Sequence, residues 1–516
     1  MPSELAALTS TLLYLLPGLA FLILVRMVEL RAAAVIAALG LAYLVGMSLV
    51  VLLTIALMVA GLPATTSGFV LLSAVLTVVF GVLAWRRRPK VQIRSSAAGS
   101  ERRSLRSHFA DRPAAWWVAL ITLGAIAVLV YGGYISSVNK PVAGWDGWTM
   151  WLRKAIMIDH SHGLPTSFLT SPEYGFTHPD YPMLIPVWMA QFFGLVGHVD
   201  SQAVHGQFWI LYVAGLWAAG SLAHRAAPPV GGSRLWAGVI WLPVLGLLLV
   251  SSYSYGKLMT LLADVPLGVF TLVAGMAAAS WLAERRSSQL WTTAVLLAAV
   301  ASTKNEGLPT VVAMLGALLL IALFSDKTGE RRATLLSLGA ATGLIVLLTL
   351  PWRIWASAHG LKSDIPVLNG LSPVHLWDHH ERFQPALVNV SAQLLDTTKW
   401  WAIPAIALAL IVACLLIGVS RRVAGFYLAV MTGTFLAPIW VYTITDSDLA
   451  FYFESSVSRV VVSCVMISAA AVLHLSARIA ASGIEQPAER RDDEEPAKAP
   501  VSRRPDAGST GAPRDG

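Results

Sequence analysis

Charge is scarce in this chain. Only 13% of its 516 residues are Asp, Glu, Lys or Arg, where a soluble domain carries about 25%. The 56% that are hydrophobic fall in runs long enough to cross ~30 Å of hydrocarbon. Together these exclude an ordinary soluble enzyme and define a polytopic membrane protein of the all-α class. Cysteine is almost missing. Cys414 and Cys464 are the only two, and both sit inside apolar runs, which excludes a disulfide framework or a cysteine zinc site. There is no Gly-rich phosphate loop and no nucleotide-binding domain. The first apolar run lacks a basic leader and a small-residue cleavage site, so it reads as a retained span. The net charge of +8 does not call for nucleic acid. The basic residues sit in short clusters between apolar runs, where the positive-inside rule puts them.

Apolar runs at 6–25, 33–60 and 68–85 form an N-terminal three-span segment, 1–85. A basic linker, 86–113, follows. The region 114–479 then holds the remaining spans, beginning at 114–135, with two long polar stretches at 136–182 and 351–400. The run 183–196 is short and begins at prolines; it reads as a helix lying in or dipping into the outer interface, with 205–223 as the next span. On this register the basic connections Arg225–Arg234, Glu284–Arg286, Lys327–Arg332 and Arg421–Arg422 all fall in the cytoplasm. The connections at Tyr253–Asp264, Lys304–Glu306, Pro351–Trp400 and Thr445–Arg459 fall on the other side. The total is about thirteen membrane-spanning helices, within a range of 11–14. The expected location is the plasma (inner) membrane, with the N-terminus outside and the C-terminus cytoplasmic. The 480–516 tail is polar and expected to be disordered.

The polar clusters are unevenly placed. Cytoplasmic connections are short and merely basic, whereas the opposite loops carry carboxylates, histidines and tryptophans. The 144–182 stretch is the richest. Asp146 lies between Trp145 and Trp148; an isolated carboxylate in that setting suits a general base, and a plain interfacial aromatic belt is the bland alternative. Lys154 follows in the same loop. In His178-Pro179-Asp180-Tyr181-Pro182 two prolines stiffen the chain, and His178 and Asp180 point the same way if it is extended. That suits metal ligation, a base with its orienter, or sugar-hydroxyl recognition; capping of the next helix is equally open. Asp264 precedes a proline at a span start and is by default an N-cap. Lys304 and Glu306 interrupt a helical hairpin at membrane depth, which marks them as functional candidates or as a mutual pair. Arg353 opens the long 351–400 loop. On a continuous helix Glu454, Ser455, Ser458 and Arg459 share a face. Arg353 and Arg459 suit an anionic ligand, or snorkelling to headgroups.

In order and sidedness these pieces resemble the GT-C superfamily, the polytopic glycosyltransferases that use polyprenyl-phosphate sugars. The pieces are the acidic residue Asp146 with its aromatics, the Tyr181-Pro182 helix start, Ala263-Asp264-Val265-Pro266, Lys304-Asn305-Glu306-Gly307 and Ser456-Val457-Ser458-Arg459. The resemblance covers about 130–480 and leaves the first three spans outside it. It implies an inverting transfer of a sugar from a polyprenyl-phosphate donor to a glycan, lipid or protein acceptor on the non-cytoplasmic face. Asp146 would be the base. Lys304, Arg353 and Arg459 would hold the carrier phosphate. Trp145, Trp148, Lys154, His178, Asp180, Tyr181, Asp264 and Glu306 would meet the substrates. Many members carry two adjacent acids in this loop. Here Gly147 follows Asp146, so Asp180 or Asp264 would supply any second carboxylate. A divalent cation, with Asp146, His178 and Asp180 as its candidate ligands, stays open; no other cofactor is implied.

The rival reading is a secondary transporter, or a flippase for a polar, anionic or lipid-linked substrate, using Lys304 and Glu306 along its path. Such a protein should show internal repeats and paired broken helices. No repeat is evident, and the long loops are unlike a compact carrier. A non-catalytic assembly protein would tolerate loss of Asp146.

Overall fold

The computed structural model describes residues 1–87, 113–226, 256–325, 328–361, 363, 369–446 and 448–492, without the side chains of 113–123, 125, 328 and 481–492. Most of the basic linker, the span bracketed by Arg234 and Tyr253, and the last part of the tail lie outside the described residues. All regular structure among the described residues is helical. In chain order the main helices are α1 (Ser3–Leu24), α2 (Ala32–Val59), α3 (Thr66–Arg86), α4 (Pro113–Val138), α5 (Arg153–Ser161) and α6 (Leu184–Val196). They continue as α7 (Ala203–Ala226), α8 (Asp264–Glu284), α9 (Ser287–Thr303), α10 (Gly307–Ser325) and α11 (Thr328–Ala358). The last five are α12 (Phe383–Leu394), α13 (Ile403–Ile417), α14 (Arg421–Ile444), α15 (Leu449–Ser455) and α16 (Val462–Asp492).

Eight described helices are long and apolar enough to cross a membrane: α1, α2, α3, α8, α10, α11, α14 and the Val457–Ala480 stretch that contains most of α16. Shorter apolar helices include α6 and α13. This is the architecture of a helical, multi-pass membrane protein. α8 is the central helix. Its membrane-length window is wholly buried, and it packs against α7, α9 and α16. Small residues let the helices approach closely. At the α1–α2 crossing, a Cβ on Gly18 would lie 1.8 Å from the Ala42 carbonyl oxygen, and one on Gly46 1.7 Å from that of Tyr14. α1 and α2 are also fastened to the body by buried polar bonds. Tyr14 donates to Gln191 (2.7 Å), Gln191 donates to Thr54 (2.9 Å), and Ser10 donates to Gln207 (3.0 Å).

The connections sort to two ends of the bundle. At one end basic residues cap backbone carbonyls: Arg225 donates to Met27, Arg26 to the carbonyl of Arg87, and Arg422 to Ser325. At the other end the polar stretch after α4 meets the starts of α8 and α10 and the segment before α16. α6 begins at this second end and also finishes there, since the Met1 ammonium at the head of α1 donates to the Val196 carbonyl at 2.9 Å. It is a buried helix that packs against α1, α2 and α5 without traversing the bundle.

Three local expectations from the sequence are modified. α11 continues through Pro351 to Ala358, so Trp352 and Arg353 lie in its last turns and the loop starts beyond them, at Gly360 with φ 68°. Asp264 is not an N-cap. Ala263 holds that position, and the Asp264 carboxylate pairs with Lys304. The face shared by Glu454 and Arg459 is also interrupted. Ser456, at φ −128° and ψ −24°, breaks the helix between α15 and the turn Val457–Val460.

Replacing Gly46 by Val should force α1 and α2 apart. The expected cost is about 1–3 kcal/mol or more, read as a lower unfolding temperature of the detergent-solubilised protein. Unchanged unfolding would mean that the backbones do not touch there.

Candidate functional site

At the polar end a cavity of about 300 Å³ opens between the loop after α4, the start of α8, the turn between α9 and α10, the end of α14 and the segment from α15 to Arg459. Trp145, Asp146, His178, Tyr181, Asp264, Lys304, Glu306 and Arg459 all line it. Residues distributed over 300 positions of sequence therefore meet at one place. The other four candidates stand elsewhere. Trp148 is 47% exposed and, like Lys154, Asp180 and Arg353, is not in the lining.

Two ion-pair systems organise the walls. Arg459 donates to the Asp146 carboxylate at 2.5 Å, joining the loop after α4 to the segment before α16. The Lys304 ammonium lies between two carboxylates, 3.0 Å from Asp264 and 2.7 Å from Glu306. Lys304 and Asp264 are almost fully buried, and an ammonium there requires such partners. Neither system is complete. Among the described residues, Arg459 Nε and Glu306 Oε2 are buried with no hydrogen-bond partner. A buried unsatisfied donor or acceptor costs about 1–3 kcal/mol. Arg459 and Glu306 are both lining residues, and a ligand with an acceptor for one and a donor for the other would remove that cost.

Behind the lining, a set of polar contacts fixes its shape. Asn305 donates to Asp180 at 2.7 Å and accepts from Arg353 at 3.0 Å, while Arg353 also donates to the Ala301 carbonyl at 3.3 Å. Arg353 thus braces the α9–α10 turn from α11. Asn305 is the functional-site residue that sequence reasoning passed over. Its position in the middle of Lys304-Asn305-Glu306 was the available signal. Lys154 is fully buried, donates to the His178 carbonyl at 2.5 Å, and lies 5.8 Å from the ring centroids of Trp151 and Tyr181. Burial pushes its ammonium down to about 7, against the opposing pull of Asp180. His178 takes a left-handed backbone conformation, φ 49°, and its ring lies 5.0 Å from that of Tyr181. A non-glycine residue there costs of order 1–3 kcal/mol and persists where its surroundings determine it. Here Lys154 grips the carbonyl and Asn305 grips Asp180 two residues on. Tyr442 and Ser456, also in the lining, share a hydrogen bond of 2.8 Å. Ser456 opens the Ser456-Val457-Ser458-Arg459 motif, whereas Tyr442 lies within an apolar run and did not stand out in the sequence.

Gly147 has a steric reason. A Cβ there would lie 1.8 Å from the Thr260 carbonyl oxygen. That carbonyl is presented by a tight turn in which Leu261 adopts φ 55°. A second acid directly after Asp146 therefore cannot fit this backbone. The residues Gly147–Leu152 form a π-helical turn that carries the chain from Asp146 into α5, a distortion often found at functional sites. Among the described residues, Asp146, His178 and Asp180 do not gather with the spacing of metal ligands, whereas His375, His379 and Asp446 do.

No protein-family model, curated protein or solved structure matches the chain. The functional reading therefore rests on the cavity itself.

Two outcomes follow from this geometry. Gly147→Asp should destabilise the protein by about 1–3 kcal/mol or more, seen in thermal unfolding; a variant of wild-type stability would show that the loop can move off Thr260. For Lys154, the folded value near 7 lies below the ordinary 10.5. Between those values the unfolded chain binds more protons, so stability should rise with pH, by at most about 1.4 kcal/mol per unit. Lys154→Met should remove that component when unfolding is followed from pH 7 to 9. An unchanged slope would show that the lysine keeps its proton in the fold.

Proposed function

We propose that the chain is a membrane glycosyltransferase of the GT-C type, transferring a sugar from a polyprenyl-phosphate carrier to an acceptor hydroxyl. The observation that carries this reading is the cavity in which Asp146–Arg459 and Asp264–Lys304–Glu306 meet beside Trp145, Tyr181 and Tyr452. Aromatic faces suit sugar rings. A guanidinium suits a phosphate oxygen. A free carboxylate oxygen on Glu306 suits a sugar hydroxyl. The volume is at the small end of ligand sites, which run ~300–1,000 Å³; it suits a sugar with its phosphate, the lipid tail lying outside. In this reading about thirteen helices span the plasma membrane. The N-terminus and the cavity lie on the non-cytoplasmic side, and the C-terminus is cytoplasmic.

The ion pair suggests how the base becomes available. Asp146 is engaged by Arg459. A carrier phosphate competes with the carboxylate for the same guanidinium. Once the phosphate occupies Arg459, an Asp146 oxygen is released to accept the acceptor's proton. The acceptor oxygen then forms its bond to the anomeric carbon, the bond from that carbon to the phosphate oxygen breaks, and configuration inverts. Arg459 stabilises the charge left on the phosphate. Lys304 already has two carboxylate partners, so its part is to hold Asp264 and Glu306 in place, and Arg353 acts through Asn305.

The test is transfer of labelled sugar from a panel of synthetic polyprenyl-phosphate sugars by purified protein. Asp146→Asn should lower the transfer rate by about 10²–10⁴ if the carboxylate is the base, with folding checked by unfolding temperature. Arg459→Lys should chiefly raise the donor concentration needed. Transfer at the wild-type rate by Asp146→Asn would sink the base assignment. No transfer from any donor, with substrate-dependent flux in liposomes, would establish the transporter instead.

A further inference from the structure

A second cluster lies in the polar stretch after α11, outside the cavity lining. A short helix, Pro373–Asp378, places His375 and the following His379 one turn apart. Their rings are 4.2 Å apart. His379 Nε2 lies 3.2 Å from a carboxylate oxygen of Asp446, which is 67 residues away in sequence. Each of the three residues offers a donor atom within 4.8 Å of the others.

The second nitrogen of each ring is already committed. His375 Nε2 is 2.9 Å from the Ile444 carbonyl oxygen, and His379 Nδ1 is 2.9 Å from that of His375. Carbonyl oxygens only accept, so in the neutral rings these nitrogens carry the protons. Nδ1 of His375 is left with a lone pair, and His379 Nε2 faces the Asp446 carboxylate, where a cation bound between the two would take the place of the shared proton. Histidines that bind metals are oriented in this way, each with its other N–H on a carbonyl or carboxylate. The i, i+4 spacing on a helical turn and a carboxylate from a second segment complete a two-nitrogen, one-oxygen donor set.

We propose that His375, His379 and Asp446 form a site for a borderline divalent cation of the zinc type, completed by water. Two imidazoles and a carboxylate suit Zn²⁺; they are a poor match for Mg²⁺ or Ca²⁺, which prefer oxygen. The ion would tie the stretch after α11 to the chain between α14 and α15. Asp446 stands just before Asp448, whose carboxylate accepts from the Ala450 amide at the head of α15. Phe451, Tyr452 and Ser455 of that helix line the cavity. The site is therefore a clamp on one cavity wall and does not depend on which reaction, if any, takes place inside.

The full-length protein, stripped with chelator and dialysed, would be titrated with Zn²⁺ by calorimetry and its retained metal measured by mass spectrometry. The wild type should bind one equivalent that His379→Gln and Asp446→Asn each weaken at least about tenfold. Asp446 is 73% exposed in its side chain, so its replacement should leave the fold intact, as checked by circular dichroism. Zinc should also raise the unfolding temperature of the wild type and not of the double variant. No stoichiometric zinc in the wild type, equal binding by the double variant, or preference for Ca²⁺ or Mg²⁺ over Zn²⁺ would each overturn the site.

Discussion

A lysine ammonium buried between membrane helices must find negative charge close by, and Lys304 finds it on both sides. Asp264 starts the central helix α8, and Glu306 belongs to the turn that leads into α10. Removing one partner of such a system costs about 3–5 kcal/mol, because the other charges stay buried and uncompensated. This is why the start of α8 and the α9–α10 turn are held at fixed separation. The cavity lies against that assembly. Behind the lining, further polar contacts brace the same turn: Asn305 reaches Asp180, and Arg353 reaches Asn305.

Two scales of constraint meet here. Within the bundle, closeness is permitted by residues that lack side chains, as at Gly18 and Gly46. At the polar end, it is enforced by charge and by backbone conformations that few residues adopt, as at His178 and Leu261. Gly147 belongs to both. It lets the loop approach Thr260, and it directly follows Asp146, the partner of Arg459.

The class of fold was legible because burial in lipid demands apolar length, and that is written in the runs themselves. α6 could be separated from the traversing helices by its 13 residues and by the charge of the connection that follows α7. Of the candidate residues, the eight in the lining could be named but not assembled, because sequence order does not reveal which loop folds over which. Lys154, a candidate substrate contact, lies buried beneath the His178 segment and donates to its carbonyl, outside the cavity lining. Arg353 looked like a loop residue because Pro351 suggested a helix end, yet α11 runs through that proline. Asn305 was hidden by its charged neighbours. The His375–His379–Asp446 cluster could not be seen, since its carboxylate comes from a distant segment.

The Asp146–Arg459 pair spans 313 residues of chain. At ~5–20 residues per second, the carboxylate leaves the ribosome roughly 15–60 s before the guanidinium that will meet it. Throughout that interval the loop after α4 can take shape, but the cavity lacks the wall that carries Arg459. The protein thus stays an open half-site during its own synthesis. Any chain that stops short of Arg459 would leave Asp146 without the guanidinium that engages it in the finished fold.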